Sequence, residues 1–112
     1  MLRDRFASSW LPVVLWLAVI FVLSSIPSLS SGLGVWDLVG RKLAHTAEYA
    51  VLGALLARAL PELPALAAGS AYAVTDEVHQ SFVAGRHGAL LDVAIDAAGV
   101  LVGILLLRRL RR

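Results

Sequence analysis

The chain has 112 residues, 59% of them hydrophobic and 16% charged, with a mean hydropathy of +0.80. Soluble domains run at about 45–50% apolar and about 25% charged, so the composition argues against an ordinary soluble domain and for a membrane protein. The lack of cysteine excludes disulfides and thiolate catalysis, and the net charge of +2 does not make a nucleic-acid surface, because the C-terminal RRLRR holds four of the ten basic residues.

The first apolar stretch is WLPVVLWLAVIFVLSSI, residues 10–26. It ends at Pro27 and the Ser/Gly-rich SLSSGLG. A rival reading takes residues 1–30 as a secretory signal peptide, with MLRDR as the basic start and Ser28-Leu29-Ser30 as a small-residue cleavage site. The rest of the chain still reads as a membrane protein in that case.

The second stretch spans residues 41–60 and carries Lys42, His45, Glu48 and Tyr49 in its first half. His45, Glu48 and Tyr49 stand at i, i+3 and i+4, so they share a helix face that Lys42 and Leu52 extend. PELP at 61–64 closes this stretch and opens the third, residues 64–82, with Pro64 suited to a first turn. The third ends in TDEVHQSF, placing Asp76, Glu77, His79 and Gln80 together, with Asp76 and Gln80 one turn apart. GRHG at 85–88 breaks the chain again. The fourth stretch spans 89–107, where Asp92, Asp96, Gly99 and Gly103 follow one narrow stripe. Gly99 and Gly103 form GxxxG, which lets helices approach closely.

Each stretch approaches the ~20 residues that a helix needs to cross the hydrocarbon core. The expected fold class is therefore all-α: four transmembrane helices in a compact bundle, one domain over residues 1–112. Trp10 and Trp36 sit where interfacial aromatics belong. Arg3, Arg5, Arg58 and the four tail arginines fall on one side of such a bundle; Arg41, Lys42 and Arg86 fall on the other. The bias predicts a multi-pass protein with both termini cytoplasmic. Charges from three segments then lie at one depth, away from the cytoplasm. Five lipid-facing carboxylates would cost on the order of 10 kcal/mol in total, which points the acids inward, toward one another or a polar cleft. The opposing reading is that they only cap and solvate helix ends, as the helix dipole would favour for Asp92.

These residues resemble the VanZ-like family of small membrane proteins. RKLAHTAEYAVLGALL at 41–56 resembles its first motif, through Lys42, His45, Glu48, Tyr49 and Leu52-Gly53. DEVHQSFVAGRHGALLDVAIDAAGVLVG at 76–103 resembles its second, through Asp76, Glu77, Gln80, Phe82, Gly85, Arg86, Asp92, Gly99 and Gly103. Ala84 stands where the family usually has proline, and Asp96 where it often has asparagine. The family takes its name from a gene associated with resistance to the glycopeptide teicoplanin. The resemblance implies a bacterial envelope protein of the cytoplasmic membrane and supplies no reaction.

Three functional readings stay open. As an enzyme, the chain would use Glu48, Asp76, Glu77 and His45 for acid/base work. Lys42, Tyr49, Gln80, Arg86, Asp92 and Asp96 would bind the ligand, with Arg86 gripping a phosphate or carboxylate of an envelope lipid or cell-wall precursor. No serine or cysteine nucleophile motif accompanies them. Carboxylates with His45 suit Mg²⁺, Mn²⁺ or Zn²⁺, yet no HExxH backs a metal and the cofactor is left unknown. As a small ion- or proton-coupled transporter, the chain would need a polar path, and AAGVLVGILLL below Asp96 offers none. As a binding or structural protein, Lys42–Glu48, Arg86–Asp and His–carboxylate pairs would fix the packing. His79 reads as a pocket residue or headgroup contact, and His87 as a solvated loop residue. Partners are the bilayer and an envelope lipid or wall precursor, with no nucleic acid. Oligomeric state is open.

Overall fold

A computed structural model describes residues 2–25, 35–82 and 90–111. They form four helices: α1 (Leu2–Ser25), α2 (Val35–Ala59), α3 (Glu62–Gln80) and α4 (Leu90–Leu110). The helices run past the apolar stretches, by eight residues at the start of α1 and six at the start of α2. Apolarity marks only the part of a helix that must avoid water. Backbone hydrogen bonding continues beyond it, through LRDRFASS at the start of α1 and VWDLVG at the start of α2.

α1 therefore places Pro12 in its interior rather than near its start. Proline has no N–H to return to the carbonyl four residues back, which is that of Ser8. Arg58, at the end of α2, donates to the Ser8 carbonyl at 3.4 Å. In α3, Pro64 lies in the first turn, where the N–H needs no intrahelical partner.

Contacts fix the directions of the helices. Ser8 meets Arg58, and Trp16 donates its indole N–H to the Glu48 carbonyl at 2.8 Å, so α1 runs against α2. Tyr72 donates to the Leu17 carbonyl at 2.8 Å and His79 stacks on Phe21, so α3 runs with α1. Lys42 meets Asp92 and His45 meets Asp96, so α4 runs with α2. The bundle is up-down-up-down around a core that includes Ile20, Tyr49, Leu52 and Val100.

α2 and α4 approach backbone to backbone. A Cβ on Gly53 would overlap the Val100 carbonyl oxygen, and one on Gly103 would overlap that of Ala50. Gly99 lies against Thr46 and Tyr49. Glycine is needed at these contacts because no other residue leaves the space.

The expectation of four helices in a compact bundle holds. The expectation that each would cross a membrane is not met in the same way: among the described residues, no helix is long and apolar enough to do so. In α2, α3 and α4 the reason is charge. α2 carries Lys42, Glu48 and Arg58; α3 carries Glu62, Asp76 and Glu77; α4 carries Asp92, Asp96 and Arg108. These residues divide the apolar stretches that composition alone makes look continuous.

Candidate functional site

α2, α3 and α4 each bring polar side chains to the same level of the bundle. Helical spacing on α2 puts His45 and Tyr49 one turn apart, facing α3 and α4. Tyr49 is fully buried and donates its hydroxyl to Asp76 Oδ2 at 2.8 Å. Asp76 and Asp96 are each only 4% exposed. His45 Nδ1 lies 3.7 Å from Asp96 Oδ1. Donor atoms of His45, Asp76 and Asp96 all fall within 4.8 Å of one another.

A second layer surrounds this group. Lys42 Nζ lies 2.5 Å from Asp92 Oδ1, with both side chains about one-third exposed. The Thr46 hydroxyl donates to the Lys42 carbonyl at 2.8 Å. Glu77 takes a hydrogen bond from the Val93 backbone N–H in the first turn of α4, while its Oε2 is buried without a hydrogen-bond partner. Glu48 is half-buried beside His45.

The opposite end of the bundle is basic. Arg108 grips Glu62 through Nε and Nη2, with Nε at 2.7 Å from Oε2. This bidentate pair holds the Glu62 carboxyl below its usual range. A half-open cavity nearby is lined by Ala57, Ile104, Leu107 and Arg111.

The expected site residues thus separate. His45, Tyr49, Asp76 and Asp96 come together in the interior. Glu48, Glu77, Lys42 and Asp92 stand around them. Lys42 pairs with Asp92 on another helix, where sequence spacing suggested Glu48. His79 turns to α1, its ring stacked on Phe21 with centroids 4.4 Å apart. Gln80 ends α3, and its side chain lies outside what is described; Arg86 and His87 also lie outside the described residues.

Two residues were missed from sequence. Tyr72 stands one turn before Asp76, its ring 6.4 Å from that of Tyr49, and ties α3 to α1. The i, i+4 spacing to Asp76 was an available signal. Trp16 ties α1 to α2 at Glu48; an indole N–H in the middle of an apolar helix needs an acceptor.

Chemically, buried carboxylates beside an imidazole and a phenol suit proton transfer, charge pairing or cation binding. A family model described as VanZ/LLP1 matches residues 6–111. No curated protein and no solved structure matches the chain.

Proposed function

The chain belongs to the VanZ/LLP1 family, and we propose on that footing that it is a membrane-embedded protein of the bacterial envelope. Its acid/base cluster engages the polar head of an envelope lipid or cell-wall precursor. The carrying observation is that Asp76 and Asp96, from two helices, are buried beside His45 and Tyr49 in an otherwise apolar bundle.

The surface supports insertion of the bundle as a unit. Leu11, Val14, Leu15, Phe21 and Val22 of α1, with Val102 and Leu106 of α4, are each about half exposed or more. A water-facing bundle would rarely show so much apolar surface. Charges that would be costly against lipid are turned toward one another. Arg58, Arg108, Arg109 and Arg111 gather at one end and the acids of the cluster at the other, which supports cytoplasmic termini and a site facing away from the cytoplasm. In this reading His45, Asp76, Glu77 and Glu48 supply acid/base groups, while Lys42, Tyr49, Asp92 and Asp96 orient the ligand. Gln80 and Arg86 are assigned to ligand binding from the sequence alone. A contribution to glycopeptide resistance would follow from changing a wall precursor.

A binding role without turnover is the second reading. The low exposure of Tyr49, Asp76 and Asp96 favours it, because substrate needs access.

The test compares envelope lipids and wall precursors by mass spectrometry in cells expressing the intact chain, Glu77→Gln or Asp96→Asn, with insertion verified for each. A species that changes only with intact carboxylates establishes turnover. Identical profiles, with a lipid co-purifying only with the intact chain, establish binding. Identical profiles without a bound lipid overturn both readings.

A further inference from the structure

We propose that His45, Asp76 and Asp96 form a binding site for one divalent cation of the Zn²⁺ or Mn²⁺ type. The inference deepens the polar-site reading above by naming what the cluster holds.

Geometry is the first support. The three side chains come from three helices, and their donor atoms converge within 4.8 Å. A cation with donors at roughly 2.0–2.2 Å separates those donors by about 3–3.5 Å. The separation of 3.7 Å between His45 Nδ1 and Asp96 Oδ1 is close to that spacing. A small inward shift of the side chains around an ion would complete the site.

Charge balance is the second. A neutral imidazole and two carboxylates carry −2, and both carboxylates are withdrawn from water. Lys42 is committed to Asp92 at 2.5 Å. A dication cancels the charge of these three side chains. A protonated His45 would cancel only half of it.

Tyr49 is the third. Ligating carboxylates are themselves held by hydrogen bonds, and the Tyr49 hydroxyl holds Asp76 through Oδ2 at 2.8 Å, leaving its other oxygen for the ion. The donor chemistry selects the metal class: the imidazole suits Zn²⁺ and the carboxylates suit Mn²⁺. Three protein donors leave an open position, where an oxygen anion such as a headgroup phosphate would sit.

The test is a calorimetric titration of the chelator-treated full chain, in detergent, with Zn²⁺ or Mn²⁺ alone. One ion should bind per chain. His45→Gln and Asp96→Asn should each weaken binding at least tenfold, while Glu62→Gln, at the far end, should match the parent. Tyr49→Phe keeps all three donors and should keep one ion, held more weakly. Absence of saturable binding to the intact chain overturns the proposal, whatever the variants do. So does binding that survives both His45→Gln and Asp96→Asn, because the ion would then sit elsewhere. The titration uses no lipid or precursor, so its failure is distinct from failure of the proposed function.

Discussion

Tyr49 of α2 and Asp76 of α3 share a 2.8 Å hydrogen bond with both side chains buried. The bond joins two helices at the centre of the polar cluster. Removing the hydroxyl leaves Asp76 short of a donor that water cannot easily replace.

Tyr49→Phe should therefore destabilise the bundle by about 1–3 kcal/mol, the usual cost of orphaning a buried polar group. Tyr72→Phe should cost less, about 0.5–1.5 kcal/mol, because the Leu17 carbonyl it leaves belongs to a helical backbone. Circular dichroism of thermal unfolding in detergent measures both. Equal losses would refute the ranking.

Close approach of α2 and α4 predicts a contrast between glycines. Gly103→Ala drives a Cβ into the Ala50 carbonyl and should separate the helices at that crossing, costing more than 1 kcal/mol. Gly40, also helical, has open space where its Cβ would stand. Gly40→Ala should stabilise by about 0.5–1 kcal/mol through helix propensity. Opposite signs in the unfolding midpoints check the contrast.

The Glu62–Arg108 pair predicts a pH signature. The folded-state pKa of Glu62 lies below its ordinary value of 4.5, chiefly through the Arg108 hydrogen bonds. A lowered carboxyl pKa adds stability above the unfolded value, and that increment is lost as pH falls through the folded value. The pair is exposed, so the increment is small and screened by salt. Stability of the parent and of Glu62→Gln, followed from pH 7 downward, should differ slightly at neutral pH and converge at acid pH. High salt should narrow the gap.

Pro12 and Arg58 should be coupled. Pro12→Ala returns an N–H to the Ser8 carbonyl, making the Arg58 donation redundant. Arg58→Ala should then cost less in the Pro12→Ala background than in the parent. A double-mutant cycle should give a coupling below about 1 kcal/mol, as befits a long, exposed bond. Full additivity would show that the bond carries nothing.

Much of the arrangement was legible in the residue pattern, for identifiable reasons. The i, i+4 spacing of His45 and Tyr49 put them on one face, and the two glycines of α4 marked its contact with α2. Other features were not legible. The start of α1 escaped detection because Leu2–Ser9 lacks the apolar density that signals an element, and that of α2 because Val35–Val39 is a short run between Gly34 and Gly40. Tyr72 was hidden within an apolar run, where an aromatic ring usually means packing alone. Asp96 read as one carboxylate among five, one turn beyond Asp92 on the same stripe, and spacing along the stripe does not give its depth.

The sequence by itself determined the helices, the apolar character of their outer surface, and the single level at which their charges gather. It did so because those properties depend on residue type and on a fixed rise and rotation per residue. Tertiary structure alone decided the partners: Lys42 with Asp92, His45 with Asp96, Tyr49 with Asp76. It also decided that Asp76 and Asp96 are buried while Asp92 stays half-exposed. Spacing along a helix sets the direction in which a side chain points. Where two helices can touch, as at Gly53, Gly99 and Gly103, sets how deep it lies and what it meets.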